Sequence, residues 1–185
     1  MQLGGPNLRD KSNLPPDLNE AEKVQGLDGL EIVQMSCGDH HAAAVDAHGD
    51  LYTWGGGKTN QSKKGQCGHG NTEFLERPKR VEGLSHKRVA KVSCGASHTL
   101  VLTEDQQLYT FGSGVYGECG HGDYGNVHTP KKIDIPRGKG KGRQGESSGQ
   151  APEPAQIIDI SAGGKHSMAL SGSGQLYTFG FGDQG

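Results

Sequence analysis

Short segments with strand-like patterns of apolar and polar residues recur along this chain. Residues 89–93 read Val-Ala-Lys-Val-Ser, and this alternation stops before a Cys-Gly pair, as a strand ends at a turn. Residues 98–102 are aliphatic and rich in threonine, which predicts a strand buried on both faces. Residues 108–111 form its hairpin partner, and residues 130–133 begin an outer strand, where proline is tolerated. Without a segment of sustained helical periodicity, the pattern predicts an all-β protein.

Two motifs recur three times with the same internal spacing. Ser-Cys/Ala-Gly-x-x-His ends at His41, His98 and His166, and ten residues after each His comes Leu-Tyr-Thr-aromatic-Gly. The repeated glycines are Gly38, Gly95 and Gly163 in the first motif and Gly55, Gly112 and Gly180 in the second. Each unit of such an array buries its apolar face only against a neighbour. The function is therefore expected to lie in the surface that the array presents.

The period is 52 residues once insertions are removed, because the run Gly-x-Cys-Gly-His-Gly occurs at 65–70 and 117–122. Four short antiparallel strands in one period predict one blade of a β-propeller. We expect one partial propeller domain over residues 1–185, with about three blades. Its units are 1–30 (the tail of a preceding unit), 31–84, 88–136 and 157–185 (a cut unit), with a low-complexity basic loop at 137–156.

One turn differs between the units. Gly49 and Gly174 stand between the second and third strands of their units, where a tight hairpin needs a residue with positive φ. Gln106 takes this position in the middle unit, which predicts a locally weaker turn.

Composition and charge narrow the class of partner only slightly. The formal net charge of −2 gives no global argument for nucleic acid or an anionic membrane. We find neither an apolar run long enough to span a bilayer nor a secretory signal segment at the N-terminus. We therefore expect no membrane insertion and, by default, an intracellular place in the cytoplasm or nucleus.

The four cysteines occupy two positions of the repeat, which are Cys37 with Cys94 and Cys67 with Cys119. Ala162 and Leu3 stand at the same two positions in other units. Because alanine and leucine replace them, we expect all four to be buried packing residues. The sequence therefore predicts neither a disulfide framework nor a zinc site.

The combined pattern V-x-x-V-S-C-G-x-x-H-T-x-x-L, L-Y-x-F-G, G-x-C/L-G-x-G and P-x-x-V resembles the regulator of chromosome condensation (RCC1-like) repeat. The resemblance covers residues 32–84, 89–135 and 157–185. It implies a seven-bladed propeller, which three periods cannot close. We therefore expect the remaining blades to be missing, with Met1, at a position where the family has Gly, marking a truncated piece. Exposed flanks of an open array also predict self-association.

The three motif histidines invite a catalytic interpretation, but no acidic partner recurs beside them. We expect each imidazole instead to bridge backbone groups between strands and to satisfy buried polar atoms. The run Gly55-Gly-Gly-Lys-Thr59 resembles a phosphate-binding loop but lacks the earlier glycine of that motif, and no helix follows it. No catalytic, metal-binding or cofactor-binding residue is predicted.

The two residues inside each repeated turn vary from unit to unit. They are Asp39-His40, Ala96-Ser97 and Gly164-Lys165. Variable loops on a fixed frame are typical of a recognition surface, although divergence where nothing constrains the chain would look the same. We take Asp39, His40, Ser97 and Lys165 as the candidate partner-binding rim.

Four cations lie within seven residues at Arg137, Lys139, Lys141 and Arg143, followed by a Gly/Ser/Pro-rich stretch. A solvated loop explains this composition, and so does an arm that contacts phosphates or an acidic partner. The segment lacks interleaved aromatic residues, so it offers no side chains on which bases could stack. Chromatin or nucleic acid therefore has weak support as a partner.

The sequence thus favours a non-catalytic scaffold for protein–protein interaction. The resemblance implies one alternative, a guanine-nucleotide exchange factor for a Ran-like small GTPase. Neither function requires covalent chemistry or a cofactor, and both place the partner on loops at one end of the sheets.

Overall fold

The computed structural model describes residues 21, 23–59, 62–135 and 155–182. Within them, strands form three antiparallel sheets, which we call blades 1, 2 and 3. The strands are β1 (Ile32–Cys37), β2 (His41–Asp46), β3 (Leu51–Gly55), β4 (Leu75–Arg80), β5 (Val89–Cys94), β6 (His98–Thr103), β7 (Leu108–Gly112), β8 (Val127–Ile133), β9 (Ile157–Ala162), β10 (His166–Ser171) and β11 (Leu176–Gly180). A short 3-10 helix, Glu82–Leu84, follows blade 1.

Each blade is a meander in which consecutive strands are hydrogen-bonded neighbours. Blades 1 and 2 have the strand orders β1-β2-β3-β4 and β5-β6-β7-β8, and the described part of blade 3 holds β9-β10-β11. The prediction of a partial, all-β propeller is confirmed. The meander puts the first turn and the third loop of each blade at one end of the sheets, which we call the loop face. The second turns and the connections between blades lie at the other end, the connection face.

The strand predictions from the hydrophobic pattern are confirmed. The alternating segment is β5, and all six residues of β6 are buried, as the continuous apolar pattern of that segment requires. The outer strand of blade 2, β8, contains Pro130 as predicted, but it begins at Val127 and not at residue 130.

The core lies between blades. Ala43, Val45 and Leu51 of blade 1 belong to one buried cluster with Val92 and Phe111 of blade 2. A second buried cluster joins the next two blades and contains Leu100, Leu102, Leu108, Ile157 and Ala169. Because each joint repeats the same positions, every blade depends on its neighbour for a core.

Backbone conformation agrees with the prediction for the second turn of each blade. Gly49 and Gly174 have φ values of 84° and 79°, and Gln106 has the positive φ value of 60° at the equivalent position. A side chain in this region of φ is strained, so the blade 2 turn carries a cost that the other two avoid.

The two outermost blades each have an uncovered face within the described residues. Leu176 of blade 3 is 60% exposed, whereas the equivalent Leu108 is 1% exposed. Met35 of blade 1 is 78% exposed, whereas the equivalent Val92 is 3% exposed. The expectation that all cysteines are buried is wrong for Cys37, which is exposed because it lies on this uncovered face of blade 1. Among the described residues, we find no helix with the length and apolarity to cross a membrane.

Candidate functional site

A hydrogen-bond relay crosses each of the two blade joints. His41 Nε2 lies 2.8 Å from the Thr99 hydroxyl, which donates to the carbonyl oxygen of Gln66 at 2.8 Å. At the next joint, His98 Nε2 lies 2.9 Å from the Ser167 hydroxyl, which donates to the carbonyl oxygen of Glu118 at 2.8 Å. The hydroxyl group therefore belongs to one blade, while both of its partners belong to the blade before it.

The relay determines the tautomer of both histidines. A hydroxyl has one proton, and this proton goes to the carbonyl, so the imidazole Nε2–H must be the donor to the hydroxyl. Nδ1 then carries a lone pair, and it is buried without a hydrogen-bond partner in both rings. Burial lowers the pKa of His41 to about 3 and that of His98 to about 4, because a charged ring loses its hydration in the blade joint.

These contacts correct one detail expected from the sequence. The imidazoles bond to side-chain hydroxyls of the next blade and reach a backbone carbonyl only through them. His166 is exposed, because no described blade follows blade 3 to supply a hydroxyl. The Ser167–His98 pair resembles a nucleophile and base, but both residues are 0% exposed and the hydroxyl proton is already donated. The pair is therefore a structural contact that a substrate cannot reach.

The other residues of this motif also serve the blade joints. Ser36 accepts a hydrogen bond from the Cys94 N–H at 2.9 Å, and Ser93 accepts one from the Ala162 N–H at 2.9 Å. A side chain at Gly38 would overlap the carbonyl oxygen of Gly95 in the next blade. Glycine is required there because two backbones approach each other closely.

The run Gly-x-Cys-Gly-His-Gly takes part in a second relay, which lies inside blade 1 and inside blade 2. Thr53 donates to the Cys67 carbonyl at 2.7 Å and lies 2.9 Å from His69 Nε2. Thr110 makes the same two contacts with Cys119 and His121, at 2.7 and 2.9 Å. Burial raises the pKa of both thiols to about 12, so neither is a ready thiolate ligand. The described residues contain no group of His, Cys, Asp and Glu side chains that could hold a metal ion.

The predicted rim residues lie on the loop face, held by a repeated backbone contact. The carbonyl oxygens of His40, Ser97 and Lys165 accept hydrogen bonds from Gly56, Ser113 and Phe181, at 2.8, 2.8 and 2.9 Å. The first turn of each blade is thereby tied to its third loop. The frame is the same in all three blades, and only the side chains on it differ.

Two of the four rim residues meet at one cavity. Ser97 and Lys165 line a cavity of about 270 Å³ to which loops of all three blades contribute, and we call it the rim cavity. Lys64, Tyr116 and Glu118 also line it. Asp39 and His40 lie on the exposed first turn of blade 1 and do not line this cavity. Their role in partner binding stays a prediction.

An exposed aromatic pair that the sequence did not single out stands beside the rim cavity. Tyr116 and Phe181 make an edge-to-face contact with ring centroids 5.3 Å apart. Lys165 Nζ lies 4.4 Å from the Tyr116 ring centroid and 5.7 Å from that of Phe181. Val115, Tyr116 and Phe181 are 47%, 38% and 44% exposed. They lie in third loops, where the units differ, so the repeat pattern gave no indication of them.

The basic segment with Arg137, Lys139, Lys141 and Arg143 lies outside the described residues. Its flanking residues are described, and the Ala155 N–H donates to the Ile135 carbonyl at 2.8 Å. This hydrogen bond lies on the connection face, because Ile135 follows β8 and Ala155 precedes β9. The two described residues that flank the segment therefore lie at the end of the sheets opposite to the rim cavity.

Comparison with known proteins agrees with this geometry. Models of the regulator of chromosome condensation (RCC1) repeat match residues 48–102 and 105–170, and a second model of the repeat matches 32–61, 89–118 and 157–185. The human E3 ubiquitin-protein ligase HERC2 is 36% identical over 162 residues, which are 86% of this chain and 3% of that protein.

Two solved structures share the fold. Human WBSCR16 has a TM-score of 0.68 at 23% identity, over 87% of this chain and 35% of that one. Prp20p from Saccharomyces cerevisiae, studied with its binding properties to Gsp1p and histones, has a TM-score of 0.62 at 23% identity, over 83% of this chain and 34% of that one.

The chain spans only 3% of the length of HERC2, so the comparison concerns the repeat domain and not the ligase. The matched residues include all three copies of the Gly-x-x-His turn that forms or faces the blade joints. Together, the repeat motifs, the blade relays and the family models show that this chain belongs to the regulator of chromosome condensation (RCC1) repeat family.

Proposed function

We propose that this chain is a non-catalytic scaffold for protein–protein interaction and that it binds its partner on the loop face around the rim cavity. One observation carries the proposal. Val115, Tyr116 and Phe181 form an exposed apolar patch, with Lys165 lying against it. Exposed aromatic residues beside a cavity are typical anchors of protein interfaces, since they bury large areas at low entropic cost.

The frame under this patch supports the proposal. Backbone hydrogen bonds join Ser97 to Ser113 in blade 2 and Lys165 to Phe181 in blade 3. In each of these blades, the first turn is thus fixed against the third loop before a partner binds. A preorganised surface loses less conformational entropy on binding than mobile loops do. The described cavity walls therefore suit recognition, whereas the buried Ser–His pair does not suit catalysis.

A pair of matched variants tests the location. Val115→Asp puts a carboxylate in the patch, and Ala47→Asp puts one in an exposed turn on the connection face. We expect partner capture by the protein to fall at least about tenfold for Val115→Asp and to change little for Ala47→Asp. Equal capture by both variants, with folding unchanged, would refute the loop face as the binding surface.

Guanine-nucleotide exchange on a Ran-like small GTPase is the second candidate. It is supported by the similarity in fold to Prp20p, whose binding to Gsp1p has been studied, and by the clustering of turns and loops on one face. Exchange would require the loop face to prefer the nucleotide-free GTPase. Release of a fluorescent GDP analogue from a panel of small GTPases tests it. If nucleotide release stays at the intrinsic rate for every GTPase in the panel, the exchange function is refuted and the scaffold function remains.

Cellular location is part of the same proposal. We place the protein inside the cell, in the cytoplasm or nucleus. The four cysteines are free thiols, and three of them are buried in packing positions, which fits a reducing compartment.

A further inference from the structure

We propose that the rim cavity binds an arginine side chain of the partner protein. In this arrangement the Glu118 carboxylate accepts hydrogen bonds from the guanidinium group, and the Tyr116 ring stacks on it. The inference rests on the proposed scaffold function and names the chemistry that the partner presents at that site.

The repeat itself shows that Glu118 is unusual. The equivalent residue in blade 1 is Gln66, which is 0% exposed and has both ends of its amide satisfied. Its Oε1 accepts from the Lys64 N–H at 2.9 Å, and its Nε2 donates to the Ser62 carbonyl at 2.7 Å. Blade 2 keeps the first contact, because Glu118 Oε2 accepts from the Tyr116 N–H at 2.6 Å. A carboxylate cannot supply the second contact, since it has no N–H.

Glu118 is therefore a buried acidic side chain that lacks the second contact made by Gln66. The side chain is only 2% exposed, and within the described residues no Lys or Arg forms an ion pair with it. A buried carboxylate without a cation is costly, and a partner cation removes that cost. Because Glu118 lines the rim cavity, a side chain entering the cavity can reach it.

The Tyr116 ring already accepts a cation. Lys165 Nζ lies 4.4 Å from its centroid, which is within cation–π range. Arginine fits both features at once, because its planar guanidinium can stack on an aromatic face while its N–H groups form paired hydrogen bonds with a carboxylate. An arriving arginine would take the ring face from Lys165, whose exposed side chain can move into solvent.

An acidic ligand fits the cavity less well. Lys64 and Lys165 would attract it, but it would also approach the buried Glu118 carboxylate, which cannot move away. The two lysines have long side chains that can turn outwards when an arginine enters. The sign of the lysine effect therefore separates the two ligands: removal of Lys165 strengthens arginine binding and weakens carboxylate binding.

The probe is the blocked tripeptide acetyl-Gly-Arg-Gly-amide, titrated into the ¹⁵N-labelled protein. The readout is the amide resonance of Tyr116, whose N–H donates to Glu118. We expect this resonance to shift during the titration and to reach saturation at millimolar concentrations of the tripeptide. The citrulline tripeptide, which has the shape of arginine without its charge, should give no saturable shift, and neither should acetyl-Gly-Glu-Gly-amide.

Two variants complete the test. Glu118→Gln should fold, because Gln66 already fills the same position in blade 1, and it should weaken arginine binding at least about tenfold. Lys165→Ala should strengthen it several-fold. Arginine binding unchanged in Glu118→Gln, or saturable binding of the glutamate tripeptide that Lys165→Ala weakens, would overturn the proposal. Loss of partner capture in Val115→Asp would still support the scaffold in that case, so the two failures are distinguishable.

Discussion

The Thr99 hydroxyl joins blades 1 and 2 by accepting a hydrogen bond from His41 and donating one to the carbonyl oxygen of Gln66, each at 2.8 Å. Ser167 makes the same two bonds between blades 2 and 3. All three members of each relay are buried, so water cannot replace a lost partner. The joint between blades therefore depends on one hydroxyl group as well as on apolar packing.

We expect Thr99→Val to destabilise the protein by about 2–4 kcal/mol, because it leaves the His41 N–H and the Gln66 carbonyl buried without partners. Thr99→Ser keeps the hydroxyl and removes one methyl group, so its cost should be about 1 kcal/mol. Urea unfolding followed by the fluorescence of Trp54, the single tryptophan, measures both. A serine variant less stable than the valine variant would contradict the relay.

The same histidines predict a loss of stability in acid. The pKa of His41 is lowered from 6.5 to about 3 and that of His98 from 6.5 to about 4, in both cases first by burial. Below about pH 6.5 the unfolded chain takes up protons at these rings, and the folded protein does not until the pH reaches those lower values. The stabilisation by the two histidines is therefore complete above about pH 6.5. It decreases as the pH is lowered below that value, by about 2.7 kcal/mol per pH unit for the two rings together.

Urea unfolding between pH 7 and pH 4.5 measures this slope. His98→Gln removes one of the two buried rings and should reduce the slope by about 1.4 kcal/mol per pH unit. His48→Gln replaces an exposed histidine in the second turn of blade 1 and serves as the control. A stability that stays constant or rises as the pH falls through this range would refute the neutral, buried state of His41 and His98.

The blades could be predicted from the sequence because the same pattern of strands and turns occurs in three units. Val89, Val92 and the buried β6 strand follow patterns that depend only on which face of a strand meets a neighbour. The hydroxyl relay could not be predicted, because Ala42, Thr99 and Ser167 share one position and only the structure shows what this position faces.

The candidate site was less accessible to prediction. Ser97 and Lys165 were identified because they vary inside a repeated turn, but Tyr116 and Phe181 lie in loops that have no repeat pattern. The cavity is lined by loops of three blades, so its walls come from residues far apart in the chain. Glu118 has no unusual feature in the sequence. Only the structure shows that it is buried and that it keeps one of the two side-chain contacts made by Gln66.

The uncovered flanks predict self-association of the chain. Leu176 and Met35 are 60% and 78% exposed at positions that are buried in blade 2. We expect sedimentation velocity to show association that increases with concentration. Leu176→Asp should weaken it at least about tenfold, because it buries a charge in the contact. Tyr124→Asp changes a residue that is 76% exposed in a loop, and it should have little effect.

Ala42→Thr should act in the opposite direction. Ala42 pairs with Cys37 as Thr99 pairs with Cys94, so a threonine there restores the hydroxyl that the relay uses. When blade 1 of one copy meets blade 3 of another, His166 would then find a hydroxyl partner. We expect Ala42→Thr to strengthen association by about five- to tenfold. Association unaffected by Ala42→Thr and by Leu176→Asp would refute contact through the flanks.

The blade 2 turn offers a stabilising substitution. Gln106 has φ of 60°, whereas Gly49 and Gly174 fill this position in the other blades. Gln106→Gly should stabilise the protein by about 0.5–1 kcal/mol, since relief of strain exceeds the extra entropy of the unfolded chain. Gln107→Gly, one residue further on, is the matched control and should destabilise the protein. A Gln106→Gly variant with a lower urea midpoint would contradict this account of the turn.

Removal of the basic segment separates its role from that of the rim. Ile135 and Ala155 are joined by a backbone hydrogen bond of 2.8 Å, so a short Gly-Gly link in place of residues 137–153 should leave blades 2 and 3 folded. If Arg137, Lys139, Lys141 and Arg143 contact phosphates, the intact chain should bind a DNA duplex with an affinity that falls steeply with salt, and the shortened chain should not. Partner capture on the loop face should be equal in both, because Ile135 and Ala155, which flank the segment, lie on the opposite face. A salt-independent affinity, or equal DNA binding by the shortened chain, would remove the segment as a binding site.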